Sequence, residues 1–244
     1  MGEILVLPAR HTLADKTYIE LKSRIMQSLL EPGAKLSIDG LTKQMTVSQT
    51  PIREALARLE AEGLVERRPL SGYTVTPLLT KSDFNDLFEL RLLMEPLAAK
   101  RAAVFVGISH NGVGDGTTLT RLAGPPEATV GDAKLDQLAF TENDIKFHAA
   151  VAEHSGSPVL AKAISGLDAH IHLHRAYLDP VAIEETEAEH LAIAEAIIAQ
   201  QPLAAEEAMQ VHLARSRERH AAAFTDAARE AAAKPVRGRG KKVK

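Results

Sequence analysis

The stretch VSQTPIREALARLEAEGLV, residues 47–65, leaves little freedom to the chain around it. Ile52, Ala55, Leu56 and Leu59 are spaced by three, one and three residues, the stripe of an amphipathic helix. Ser48 or Thr50 can cap its free backbone N–H groups, and Pro51 in the first turn loses no helical hydrogen bond. Gly63 supplies the stop. Gln49, Thr50 and Arg53 crowd the N-terminal end, outside the apolar stripe. A short helix that presents hydrogen-bonding groups there is built to meet something, unless Arg53 and Glu54 merely pair on a solvated face.

The flanking text frames this helix. Tyr18, Leu21, Ile25 and Leu29 recur at spacings of three and four, which predicts a helix over about residues 16–30, ended by EPG at 31–33. LSIDGLTKQM supplies a short second helix carrying Leu41 and Met45, closed at Thr46 and Val47. After Gly63, LVERR and YTVTP read as two short strands around PLSG, a wing with Gly72 near its tip. The order is that of a helix-turn-helix followed by a wing. In that arrangement the second helix of the pair enters the major groove with its N-terminal residues at the base edges. Gln pairs with adenine, Arg with guanine, and hydroxyls reach bases or phosphates.

The rest of the chain is strongly helical. From Ser82, Phe84, Leu87 and Phe88 lie on one helical face, and Arg91 takes the next place in that stripe. A charge there needs a partner or a route for its head to solvent. A glycine-rich segment at 107–132 reads as a loop, with one turn of helix at 118–123. Helical text resumes near Ala133 and runs to about Ala233, broken at HSGSP (154–158), LDP (178–180) and QQP (200–202). No strand–helix–strand alternation appears, so this half is expected to be an antiparallel all-α bundle. Within it, Asp144 and His148 stand at i and i+4 on one face, and His190 and His212 sit beside apolar neighbours. A single histidine of this kind is more often a packed core residue than a ligand. Four such groups on three helices are how bundles assemble metal sites.

Charge separates the segments. The net charge of −3 divides into +1 for residues 1–76, −10 for 77–233 and +6 for 234–244. The last segment, KPVRGRGKKVK, has no apolar face and reads as a disordered basic tail, either simply solvated or adding attraction to phosphates. No cysteine is present, which excludes disulfides and thiolate chemistry and fits a cytoplasmic protein. MGEILVLPARHT has no basic region before its short apolar run, so a secretory signal is not expected. No run of roughly 18 apolar residues exists, so no membrane span is expected.

Two sets of motifs resemble known families. LEPGAKL, VSQTPIREALARLEAEGLV and SGYTV, over roughly residues 16–77, resemble the winged helix-turn-helix head of the GntR family of bacterial transcription regulators. The resemblance implies that Ser48, Gln49, Thr50 and Arg53 read DNA and that Gly72 lies in the wing; Lys35, Lys43, Arg67 and Arg68 are expected to add phosphate contacts. Many relatives carry Arg where this chain has Gln49, and Arg before the wing glycine where it has Ser71; both changes bear on the operator sequence. ELRLLMEPLAA, DIKFHAAVAEHSGSPVL, EHLAIAEAI and AMQVHL resemble the FCD ligand-sensing domain of the FadR subgroup over about residues 82–220. By that resemblance, Asp144, His148, His190 and His212 hold a divalent metal (Zn, Ni or Mn), and Arg91 clamps a carboxylate beside it. Arg175 and Ser157 are further pocket candidates, although relatives commonly have Asn at the latter. HIHLH (170–174) puts His170 and His174 on one face and His172 on another; because the first set already makes a site, this trio is expected to be ordinary bundle histidines.

The expected molecule is therefore mainly α, with a winged helix-turn-helix over 10–77, an effector-binding and dimerising bundle over 82–231, and the tail at 234–244. It is expected to be a homodimeric, non-enzymatic regulator that binds a palindromic double-stranded operator and responds to a small organic acid. Two rivals remain: a metal-dependent, hydrolase-like helical enzyme using the same donors, and a DNA-binding protein without an effector.

Overall fold

The computed structural model describes residues 12–68, 72–106, 116–126, 133–176 and 180–224. The chain divides into two compact units, Met1–Leu78 with Val130–Leu138, and Leu79–Thr129 with Ala139–Lys244. It is mostly helical with one small antiparallel sheet, as expected. The basic tail, the wing tip at 69–71 and most of the glycine-rich segment lie outside the described residues.

In the first unit α1 (Leu13–Met26) packs on α3 (Gln49–Ala61), with α2 (Ile38–Met45) leading into α3. Helix α1 starts and ends earlier than its apolar spacing predicts. Thr12 and Asp15 form a capping box that fixes the start. At the other end Ser28 turns to φ 55, so Leu29 leaves the stripe and is 64% exposed. Leu21, Ile25, Ile52, Ala55, Leu56, Leu59, Leu64 and Val75 are fully enclosed. At the edge of this core the Lys22 ammonium reaches the Tyr18 hydroxyl at 2.9 Å and Glu62 at 3.1 Å, tying α1 to the end of α3.

The wing has one strand more than the two expected. β1 (Lys35–Leu36), β2 (Val65–Arg68) and β3 (Gly72–Val75) form an antiparallel sheet in the order β1-β3-β2. Two residues are too few to show periodicity, which hides β1 in the sequence. Gly72 is required here twice over. Its φ is +84, and a Cβ would stand 3.3 Å from the Leu36 carbonyl oxygen of the adjoining strand.

The second unit comprises α4 (Lys81–Phe105), α5 (Thr117–Ala123), α6 (Ala133–His154) from Ala139 onward, α7 (Pro158–Ser165), α8 (Ala169–Ala176), α9 (Pro180–Ile198) and α10 (Pro202–Ala221). Helix α10 packs on both α4 and α9, with α5 against α9 and α7 against α4. The alanines Ala98, Ala99, Ala102 and Ala103 let neighbours approach α4 closely, and Phe147, Ile193, Ile197, Met209 and Leu213 fill the space around them. The break between α7 and α8 was not legible in the sequence. It is made by a tight turn in which Asp168 adopts φ 46, a left-handed conformation that a short polar side chain tolerates.

Candidate functional site

At the N-terminal end of α3, Ser48, Gln49, Thr50 and Arg53 are all exposed. Of the two cap candidates Ser48 occupies the N-cap position, and it makes no side-chain cap bond among the described residues. Gln49 donates from Nε2 to Asp39 Oδ1 at 2.8 Å, and Arg53 donates to Gln49 Oε1 at 3.3 Å. These bonds hold the Gln49 carboxamide between α2 and the Arg53 guanidinium. A cleft of about 450 Å³ is lined by Lys35, Asp39, Gln49, Arg53 and Gly72, bringing the start of α3 and the wing strand to one opening. Lys43, Arg67 and Arg68 are exposed as well, and Arg68 pairs with Glu66 on its own strand.

The second unit carries its polar groups inside. Asp144 and His148 from α6, His190 from α9 and His212 from α10 are each at most 3% exposed. Imidazole nitrogens of His148, His190 and His212 lie within 4.8 Å of one another. Asp144 Oδ1 stands 3.3 Å from His190 Nε2 and 3.7 Å from His148 Nε2. These three atoms are buried without a hydrogen-bond partner among the described residues. Such orphaned groups are costly and therefore rare. Lone-pair donors facing one another in a dry interior are what a cation requires.

The ring nitrogens turned away from this point are held by carboxylates. His148 Nδ1 meets Glu95 Oε2 at 2.5 Å, and Glu95 in turn accepts from Arg91 Nε at 2.6 Å. His212 Nδ1 meets Glu189 Oε2 at 2.8 Å, and Arg219 holds Glu189 through two contacts of 2.9 and 2.8 Å. Donation from Nδ1 leaves Nε2 as the lone-pair nitrogen and makes it more basic. The His190 ring is stacked on Phe147 with centroids 4.0 Å apart, which fixes its plane. Burial drives His190 well below its ordinary pKa, and burial lowers His212 against the opposing Glu189 contact. Burial pushes the Asp144 carboxyl up, but the facing His170, His174 and His190 outweigh it and keep the group well below the usual range. At neutral pH the site thus presents an anionic Asp144 beside uncharged His190 and His212, the protonation states that metal ligation needs.

The expected pocket residues fall in different places. Arg91 is fully buried, and neither Nη1 nor Nη2 has a hydrogen-bond partner among the described residues. Arg175 is buried on α8, where desolvation lowers its pKa to about 10. Ser157 caps α7, its hydroxyl accepting from Leu160 N at 3.3 Å. The histidines set aside as ordinary, His170 and His174, face the site: Asp144 Oδ2 is 2.6 Å from His170 Nδ1 and 3.3 Å from His174 Nε2. Their i, i+4 spacing in HIHLH was the available signal. Glu95 was missed too, although it stands four residues after Arg91 and supplies the partner which that buried charge demands.

Comparison with known proteins places both parts of the chain in a family. Residues 13–75 match the model of the bacterial regulatory proteins of the gntR family, and residues 86–215 match the FCD domain. A protein of Escherichia coli (strain K12) named for regulation of the L-lactate dehydrogenase operon is 28% identical over 246 residues, 86% of each chain. The transcriptional repressor GlaR of the same organism is 27% identical over 205 residues, covering 80% of this chain and 90% of that one. An HTH-type regulator of Bacillus subtilis, YdhC, is 34% identical over 83 residues, 34% of this chain and 37% of its own length. Among solved structures, McbR/YncC of E. coli has the same fold, with a TM-score of 0.60 at 19% identity over 88% of this chain and 99% of that one. These relatives are transcription regulators, which sets the hydrolase-like alternative aside. With a gntR-type helix-turn-helix head and an FCD domain over half its length, the chain belongs to the GntR family of transcription regulators.

Proposed function

We propose that the chain is a cytoplasmic, homodimeric regulator of the FadR subgroup whose grip on a palindromic operator changes when a small carboxylate enters a metal-centred pocket. The observation that carries this reading is the meeting of Asp144 Oδ1, His148 Nε2 and His190 Nε2, buried and without hydrogen-bond partners among the described residues. Asp144, His148, His190 and His212 would hold the ion, with zinc, nickel or manganese each compatible with such donors. The ion supplies an electrophilic position open to an anionic oxygen. Arg91, whose two Nη groups have no hydrogen-bond partner among the described residues, would offer a bidentate clamp for the same acid, and buried Arg175 would add a second cation. The relative named for the L-lactate dehydrogenase operon supports a small acid as the class of effector.

At the DNA, Gln49, Thr50 and Arg53 would reach base edges, while Ser48, Lys43, Arg67 and Arg68 would contact phosphates alongside the Gly72 wing. One short recognition helix offers few base contacts, so specific binding calls for two heads on inverted half-sites. An apolar stripe on α4 supports self-association: Leu90, Leu93, Leu97 and Val104 are 45%, 66%, 46% and 45% exposed at spacings of three, four and seven residues. The test is to select bound sequences from random DNA, then titrate small hydroxy- and dicarboxylic acids against the enriched site with metal-loaded and metal-stripped protein. An acid that shifts operator affinity only in the loaded protein is the expected result. An identical shift in stripped protein would remove the metal from the reading.

A further inference from the structure

The two oxygens of Asp144 face different sets of histidines. Oδ1 looks toward His148 and His190, and Oδ2 looks toward His170 and His174. Ligand atoms of Asp144, His170 and His174 lie within 4.8 Å of one another, just as those of His148, His190 and His212 do. All six residues are buried. His174 is also held in orientation. Its Nδ1 meets Thr141 Oγ1 at 3.1 Å and its ring stacks on Phe140 and His220, at 5.4 and 5.8 Å between centroids, which leaves Nε2 aimed at the carboxylate. The pair on α8 repeats the i, i+4 device that places Asp144 and His148 on α6.

We propose that His170 and His174 complete a second divalent-cation seat, so that Asp144 bridges two ions instead of serving one. The inference rests on the first centre proposed above and extends it to α8. A carboxylate with one oxygen directed at each of two imidazole sets is the arrangement of a bridging ligand in a paired-metal site. Simple support of Asp144 would need one N–H donor on Oδ2, whereas here two buried rings converge on it. Charge sets the order of filling. Glu95 and Glu189 are already matched by Arg91 and Arg219, so Asp144 is the uncompensated anion left to face both ions. A second dication therefore adds charge to a poorly solvated interior, and it binds at least about tenfold more weakly than the first. A bridging hydroxide or an acid oxygen relieves part of that cost, so binding of the second ion and of a carboxylate favour each other.

The experiment is equilibrium dialysis of the stripped full-length chain against zinc in a weakly competing buffer, with metal counted per chain. Wild type takes up two equivalents in two resolved steps. His170→Asn with His174→Asn retains the tight step and loses the weak one, while His172→Asn, on another face of α8, retains both. Cobalt gives a second readout without relying on stoichiometry alone: the second equivalent should add a new absorption band and alter the magnetic signal of the first. Saturation at one equivalent in wild type, unchanged by the α8 double variant, overturns the second seat and leaves the first standing. Two equivalents retained by the α8 double variant also overturn it. No bound metal in wild type overturns both seats.

Discussion

The two units distribute their polar chemistry in opposite ways. In the N-terminal unit α1 and α3 close over Leu21, Ile25, Ile52, Leu56 and Leu59, and the candidate DNA-reading residues, Gln49, Thr50 and Arg53, stand in solvent at the end of a helix. In the bundle the functional candidates are in the interior: Arg91, Asp144, His148, His190 and His212 are all at most 3% exposed. The partners proposed above account for the difference. DNA is a large polyanion that a helix must meet from outside, and its phosphates are contacted by exposed cations. A metal ion and a small acid are bound by enclosing them, which removes water and strengthens each charge interaction. Substitutions in the head should therefore change binding with little effect on stability, and substitutions in the bundle should change both.

The largest effect is expected at Asp144, whose two oxygens face His148 and His190 on one side and His170 and His174 on the other. Asp144→Asn should raise the dissociation constant for metal by more than about 100-fold, beyond what loss of an outer-shell partner produces. Metal content after gel filtration reads this directly. Next comes Arg91→Leu, which leaves Glu95 buried with only His148 for company. It should cost about 3–5 kcal/mol in urea unfolding, because the remaining carboxylate loses its counter-charge. A loss below about 1 kcal/mol would mean that the buried charges of the bundle contribute no more than surface pairs do.

Arg53→Ala sharpens the other side of the comparison. It should cost about 1–3 kcal/mol at one or two operator positions, measured by competition among operator variants, while the melting temperature stays unchanged. Lys43→Ala or Arg67→Ala should instead weaken all sequences alike and flatten the salt dependence. A uniform loss for Arg53→Ala would move that residue to the phosphates. Leu93→Asp should shift the chain toward monomer in sedimentation and weaken binding to paired half-sites, leaving a single half-site unaffected. Ser157→Ala should cost about 1 kcal/mol of stability through the lost α7 cap.

Acid should separate the units as well. In metal-free protein, burial lowers His170 to about 4 and His174 to about 3, against about 6.5 for an unfolded histidine. The unfolded chain binds more protons between those values, so stability is full above pH 6.5 and falls as the pH drops toward 4. Metal added at neutral pH should raise the melting temperature, and this gain should shrink on acidification, since protons compete for the same nitrogens.

The same contrast explains how much the sequence reveals. The head is legible because its signals are local: an apolar stripe, a proline in the first turn, Gly63 after the last turn and Gly72 in the wing all act within a few residues of themselves. What it hides is short or tertiary, namely the two-residue β1 and the escape of Leu29 from α1. The bundle is different. Asp144 and His148 can be paired from their spacing, but His190 and His212 join them only through helix packing, so their assembly rests on resemblance. His170 and His174 carried a readable i, i+4 signal, yet nothing in the sequence shows that α8 delivers them to the far oxygen of Asp144. The turn at Asp168, which separates α8 from α7, lacks a proline and has only Gly166 nearby to mark it.

Native-state hydrogen exchange, with and without one equivalent of zinc, tests most directly whether the bundle donors are ligands and the head is independent of them. Protection should rise in α6, α9 and α10, which carry Asp144, His148, His190 and His212, while α1 and α3 exchange as before. Zinc that leaves α6, α9 and α10 unchanged, or protects α1 and α3 equally, would contradict it.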